Sequence, residues 1–290
     1  MNAKQSEKYR GVVVPLISPF TRSGAIDEAG AKRLMDHLLK GGVGGIFALG
    51  TTGESVSIHP DEKRRLVDVM VQHVAGRAMT YAGIASNCFR ESLEAAAAYK
   101  KFGVDAVVAH PPSYFPLSDA DMEAYFLQLA DGVDQPLILY NIPPTTHHTI
   151  SLDVVDRLRE HPNVVAIKDS ANDAQRIAQL LKRTGGRGGF PVLLGASPQY
   201  AHGLRVGAVG IIPSGAHLVP DLYQAMYTSA MADQWDKVEQ LQKETDAACA
   251  SYQSGRSLGA SLAMLKVLLE KRGLCGRTML PPLRDSTETA

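Results

Sequence analysis

Three places in the chain join an apolar run directly to side chains that can do chemistry: Gly50-Thr51-Thr52-Gly53-Glu54, Tyr140-Asn141 and Lys168-Asp169. Lys168 follows Val164-Val165-Ala166-Ile167, so its amine stands at the end of a stretch suited to burial. Taking an ammonium out of water costs free energy and favours the uncharged amine, a nucleophile toward ketones. The chemistry this predicts is a Schiff base with a 2-oxo acid. Its iminium draws electrons from the neighbouring carbon and permits C–C cleavage, condensation or dehydration. A second reading stays open, in which Lys168 snorkels from a strand end to pair with Asp169 or another surface acid.

The other two places also carry two readings each. Gly50 and Gly53 let the backbone turn sharply and aim the amides of Thr51 and Thr52 at an anion such as a substrate carboxylate. The alternative is a plain turn with Glu54 near the start of the next helix. Tyr140 passes protons at the imine if its strand neighbours that of the lysine. Otherwise it is a packed aromatic with a satisfied hydroxyl.

These residues need a scaffold, and the chain supplies a regular alternation of short apolar runs with amphipathic stretches. Eight strands are expected, at 11–17, 44–49, 80–84, 106–109, 136–140, 164–168, 192–194 and 209–212. Several are apolar at every position, the signature of parallel strands covered on both faces. Leu34, Met35, Leu38 and Leu39, and likewise Leu66, Val67, Met70, Val71 and Val74, recur at helical spacing. Pro60 before Asp61 and Glu62 suits a helix start, Ser118 a cap, and Gly41, Gly76 and Gly103 helix ends. Gly41, Gly42, Gly44 and Gly45 precede a strand, so they read as a turn and not as a dinucleotide-binding fingerprint. The fold class expected is α/β, a (β/α)8 TIM barrel spanning 11–232 after an N-terminal extension, 1–10. A C-terminal helical extension, 233–290, holds more helix than one barrel needs.

In 290 residues, a hydrophobic share of 45% and a charged share of 21% allow a large core. Thirty basic residues balance thirty acidic ones, which argues against nucleic acid as a partner. No apolar run suits a membrane span or a secretory signal, and three separated cysteines fit a reducing compartment, so a cytoplasmic protein is expected. His110, His147 and His148 raise a metal-dependent aldolase as a rival, but no acidic partner accompanies them at ligand spacing. No metal and no cofactor is expected.

In combination these motifs resemble the dihydrodipicolinate synthase and N-acetylneuraminate lyase superfamily of class I aldolases. The similarity runs from Gly11-Val12-Val13-Val14-Pro15-Leu16 through the C-terminal helices. It rests on Gly-Thr-Thr-Gly-Glu at 50–54, Tyr114 after Pro111-Pro112, Leu-Tyr-Asn-Ile-Pro at 139–143 and Ile-Lys-Asp at 167–169. The resemblance implies that Lys168 is the Schiff-base lysine and Tyr140 its proton shuttle. Thr51 and Tyr114 complete a hydroxyl relay, Tyr114 reaching in from a neighbouring subunit. Thr52 and Gly50 belong to the carboxylate-binding turn, Ile212 borders the pyruvate portion, and Ser214 matches a substrate-contacting serine. A homodimer or homotetramer is implied.

Two departures bear on the second substrate. Thr145 stands where the lysine-precursor enzymes carry an arginine for the aldehyde's carboxylate, and threonine cannot form a charged two-pronged grip. Ser197-Pro198 stands where sialate lyases place an acidic pair. A charge from His147, His148, Arg205 or Arg256 remains open. The expected activity is a Schiff-base-forming lyase, an aldolase or dehydratase acting on 2-oxo-3-deoxy or 4-hydroxy-2-oxo acids. The alternatives are condensation of pyruvate with aspartate semialdehyde, as in 4-hydroxy-tetrahydrodipicolinate synthase, and a noncatalytic 2-oxo acid binding protein.

Overall fold

All eight apolar runs form strands in the computed structural model, which describes residues 8–288. They are β1 Gly11–Pro15, β2 Gly45–Ala48, β3 Met79–Gly83, β4 Ala106–Ala109, β5 Leu137–Asn141, β6 Val164–Asp169, β7 Val192–Leu194 and β8 Gly210–Ile211. They pair in parallel, in sequence order, and β8 closes onto β1. Strands are short, but the ladder runs on past their ends: Leu16 N–H donates to Phe47 O at 2.8 Å and Ile212 N–H to Leu194 O at 2.7 Å. Residues 1–7 of the expected N-terminal extension lie outside the described residues, while Tyr9 is buried against the barrel interior.

Alternation along each strand divides the core into two clusters. Val13, Phe47, Tyr81, Val108, Ile138, Tyr140, Leu193 and Ile212 fill the barrel. Their outward-facing neighbours, such as Val12, Val14, Ile46, Leu139 and Ile167, pack under the helices. These are α1 Glu28–Lys40, α2 Pro60–Val74, α3 Phe89–Phe102, α4 Asp119–Gly132, α5 Leu152–Leu158, α6 Ala174–Thr184, α7 Tyr200–Arg205 and α8 Pro220–Met231. Caps fix where they begin: Asp27 accepts from Gly30 N–H, and Ser118 with Asp121 forms a reciprocal capping box.

Two further helices, α9 Trp235–Gln253 and α10 Leu258–Lys271, account for the surplus seen in the sequence. α9 packs along α8 and α7, and α10 turns back over the carboxyl ends of the strands. There Lys266 donates to Glu54, beyond β2, and to Thr278 O at 2.7 Å. Among the described residues no helix is long and apolar enough to cross a membrane.

Candidate active site

Lys168 points into the barrel because the β5–β6 ladder carries a bulge. Leu137 pairs with Val164, but Ile138 pairs with Ala166, so Val165 is an extra residue that shifts everything after it. The shift makes Tyr140 the register partner of Lys168 and Asn141 the partner of Asp169. Tyr140 and Lys168 face inward, while Asn141 and Asp169 face the helix layer, where Asn141 Nδ2 donates to Asp169 Oδ2 at 3.0 Å. Asp169 also accepts from Arg176 Nε at 2.8 Å and from Ala171 N–H at 2.9 Å. It is therefore committed to its own buried ion pair, and the reading in which Lys168 snorkels out to Asp169 is corrected: consecutive strand residues face opposite ways.

The lysine side chain is 4% exposed. Its Nζ lies 3.9 Å from the centroid of the Tyr140 ring and 5.1 Å from that of Phe47. Gly195 leaves room for it, since a Cβ there would sit 2.9 Å from Lys168 Cε and 2.0 Å from Ser170 Oγ. Phe47 and Gly195 escape sequence reasoning because one reads as an ordinary strand apolar and the other as a turn glycine.

The turn after β2 is built differently from the expectation. Left-handed backbone occurs at Leu49 (φ 61°) and Glu54 (φ 56°), not at the glycines. The glycines supply space instead: a Cβ at Gly50 would meet the Phe47 ring at 2.9 Å, and one at Gly53 would meet Leu16 O at 2.8 Å. Hydrogen bonds from Gly53 N–H and Ser55 N–H to Gly50 O, and from Glu54 N–H to Thr51 O, close the turn. The amides of Thr51 and Thr52 open a short 3-10 turn, where backbone donors lack intrahelical partners. Ser18 Oγ holds the turn from below by donating to Gly53 O at 2.7 Å. Thr51 Oγ1 lies 3.4 Å from the Tyr140 hydroxyl. Glu54, which the alternative reading placed near a helix start, is buried, its carboxylate held by Lys266 and by Leu280 N–H at 3.0 Å.

Lys168, Tyr140, Thr51 and Thr52 meet at a cavity of about 320 Å³, and Ile212, Ser214 and Thr145 line it with them. Gly50 is not among its lining residues. Ser170, Gly195, Ala196, Ser197, Gln253 and Leu258 are wall residues that the sequence reading did not propose as site residues. Gln253 and Leu258 come from the C-terminal helices, whose approach to the mouth no local pattern announces.

Among the described residues, Lys168 is the only Lys, Arg, Asp, Glu or His on this wall. None of the four charges left open by the sequence lines it. Arg205 pairs with Glu239 at 3.1 Å and covers Trp235, and Arg256 pairs with Glu288 at 2.6 Å. His148 Nε2 bonds Phe115 O at 2.9 Å. His110 sits edge-on to Tyr140 with its Nδ1 on Pro111 O at 2.8 Å. Burial pushes the His110 pKa down, and the nearby Lys168 charge adds to the effect.

Tyr114 does not join the relay within its own chain. It is 78% exposed and stacks edge-on against Phe115, itself 69% exposed. A second cavity of about 390 Å³ adjoins the first, sharing Thr51, Thr145 and Leu258 and bordered by Val56 and His110.

Comparison with known proteins agrees with this geometry. The family model described as the dihydrodipicolinate synthetase family matches residues 8–290. The chain is 35% identical over 272 residues to 4-hydroxy-tetrahydrodipicolinate synthase 1 of Streptomyces coelicolor, covering 93% of this chain and 87% of that one. Dihydrodipicolinate synthase from Bacteroides thetaiotaomicron superimposes with a TM-score of 0.90 at 28% identity, over 96% of this chain and 93% of that one. YagE, a dihydrodipicolinic acid synthase family protein of E. coli K12 solved in complex with pyruvate, superimposes with a TM-score of 0.91 at 25% identity, over 97% and 94%. A lysine at the carboxyl end of the sixth barrel strand, a tyrosine beside it and a match over nearly the whole length lead to one conclusion: the chain belongs to the dihydrodipicolinate synthetase family, (β/α)8 barrels that act as class I, pyruvate-dependent lyases.

Proposed function

We propose that the protein is a Schiff-base-forming lyase acting on pyruvate-derived 2-oxo acids of the 2-oxo-3-deoxy or 4-hydroxy-2-oxo type. The observation that carries this reading is the enclosed pair of Lys168 Nζ over the Tyr140 ring, with Thr51 next along from the phenol. Lys168 Nζ attacks the 2-oxo carbon while Thr52 and the neighbouring amides hold the carboxylate. Tyr140 protonates the carbinolamine oxygen, water leaves, and the iminium forms. In the cleavage direction the C3–C4 bond breaks, its electrons pass into the iminium to give the enamine, and the C4 hydroxyl passes its proton to the Tyr140 phenolate as the aldehyde departs. Protonation of the enamine at C3 and hydrolysis release pyruvate and the free amine. Condensation runs the same steps backward.

Tyr114 fits this scheme as the third hydroxyl, supplied by a second copy of the chain. The adjoining cavity reaches Thr51, and Val56, Tyr114 and Phe115 are large apolar side chains left 82%, 78% and 69% exposed, as expected of a surface that another subunit covers. A homodimer, or a tetramer made of such dimers, follows, with a cytoplasmic location fitting the free thiols of Cys88, Cys249 and Cys275.

Condensation of pyruvate with aspartate semialdehyde is the second reading, favoured by the name of the Streptomyces relative. Against it stands a wall with no cation but Lys168 among the described residues. The test is turnover of a panel of 2-oxo-3-deoxy acids and 4-hydroxy-2-oxo acids, followed by pyruvate release, beside pyruvate plus aspartate semialdehyde. Release from the panel supports the proposal. Turnover of the semialdehyde alone overturns it in favour of the second reading.

A further inference from the structure

Tyr140-Asn141 and Lys168-Asp169 each carry a second residue that the imine scheme leaves idle, and the fold joins those two residues behind the site. Asn141 and Asp169 are buried between the strands and the helices. Four groups there close a ring. Asn141 Nδ2 donates to Asp169 Oδ2 at 3.0 Å, and Arg176 Nε donates to the same oxygen at 2.8 Å. Arg176 Nη2 donates to Ile150 O at 2.8 Å, and Ile150 N–H donates to Asn141 Oδ1 at 2.9 Å. Every direction in this ring is forced. Guanidinium and backbone N–H groups can only donate, so Asn141 accepts from Ile150 through Oδ1 and turns its amide nitrogen to the carboxylate. Ala171 N–H fills Asp169 Oδ1 at 2.9 Å, and Asp173 caps α6 by accepting Arg176 N–H at 3.0 Å.

This ring decides something that the apolar run of β6 cannot. Val165 and Ala166 both face the barrel interior, while Val164 and Ile167 face the helices, as a bulge requires. All four side chains are apolar and suit burial on either face. Strict alternation from Val164 would send Lys168 outward and Asp169 into the barrel. That arrangement turns an ammonium toward the Arg176 guanidinium and leaves a carboxylate among apolar side chains, two costs that the bulged strand avoids. We infer that Arg176 is a positioning residue for the imine step: by drawing Asp169 outward it holds Lys168 inward, in register with Tyr140. Arg176 lines neither cavity, so it acts on the reaction through Asp169. Asn141 shares the task from the neighbouring strand. The inference rests on the imine reading above, since Lys168 is the residue being placed.

The test measures how fast borohydride with pyruvate labels Lys168, per folded chain, in the wild type, Arg176→Met, Arg176→Gln and Arg176→Lys. The folded share and the thermal midpoint are taken on the same samples. Arg176→Met is expected to slow labelling by at least about tenfold, because nothing then favours the outward place for Asp169 over the inward one. Arg176→Gln keeps a donor without the charge and should fall between methionine and the wild type. It decides the matter alone if the methionine variant does not fold. Arg176→Lys restores a cation and should regain most of the rate. Thermal midpoints that fall while labelling per folded chain keeps the wild-type rate would overturn the inference and leave Arg176 merely structural. A lysine variant as slow as the methionine one would overturn it too, since charge would then not be the cause. Failure of the wild type to label at all would instead overturn the imine reading.

Discussion

Glu54 and Lys266 stand 212 residues apart in the chain and form an ion pair with both side chains fully withdrawn from solvent. One belongs to the turn that presents Thr51 and Thr52, the other to α10, so the pair ties the substrate-binding turn to the C-terminal helices. Lys266 donates also to Thr278 O and lies 4.3 Å from the Phe20 ring centroid, while Glu54 Oε2 takes Leu280 N–H. Burial pushes the Lys266 pKa down, and Glu54 opposes the shift.

Removing one member of such a pair strands the other charge. Glu54→Gln is expected to cost about 3–5 kcal/mol of stability, whereas Glu54→Gln combined with Lys266→Met should recover part of it. Urea unfolding of the single and double variants measures both. Equal stability of Glu54→Gln and the wild type would show that the pair holds nothing in place.

The Tyr140 ring lies 3.9 Å from the amine at its centroid and carries a hydroxyl that can move protons. Tyr140→Phe keeps the ring under Lys168 and is expected to lower kcat by about 10²–10⁴ with little change in the KM for the 2-oxo acid. Thr51→Val removes only the partner 3.4 Å from that hydroxyl and should cost less, about tenfold. Steady-state kinetics on the two variants decide the order, and a larger loss for Thr51→Val contradicts it.

Gly195→Ala tests the space made for the lysine. The new methyl would stand 2.0 Å from Ser170 Oγ and 2.9 Å from Lys168 Cε, so both side chains must shift. A misplaced nucleophile loses about a hundredfold in rate. Imine formation should slow by that order while the thermal midpoint stays within a few degrees, and an unchanged rate would show that the amine has room to spare.

His217 gives the fold an acid-sensitive point. It is fully buried, with Nε2 accepting Ile17 N–H at 3.1 Å and Nδ1 donating to Ser214 O at 2.8 Å. Burial pushes its pKa from 6.5 down to about 4. Between those values the unfolded chain binds a proton that the folded one refuses. Stability is therefore intact above pH 6.5 and falls as pH drops toward 4, by about 3 kcal/mol in all. Urea midpoints across this range should decline more steeply for the wild type than for His217→Gln, and parallel curves would assign the acid sensitivity elsewhere.

The barrel was legible because period-two burial and apolar parallel strands leave plain marks, as at Val164 to Ile167. The same run hid the bulge: with every residue apolar, nothing in the sequence says that Val165 breaks the alternation and turns Lys168 toward Tyr140. Thr51 and Thr52 could be found from a strand end, and Ser214 only from the family resemblance. Gln253 and Leu258 could not, because their place on the wall depends on how α9 and α10 pack back over the barrel. Gly50 and Gly53 were noticed for the wrong physical reason, since the turn takes its left-handed residues from Leu49 and Glu54 and uses the glycines for clearance.

The most direct measurement is reduction of the wild-type protein with borohydride in the presence of pyruvate, followed by peptide mapping. Inactivation is expected, with the mass of one reduced pyruvate on the peptide that carries Lys168 and with Lys168→Ala unlabelled and inactive. Label on any other lysine, or normal turnover by Lys168→Ala, would contradict the imine mechanism.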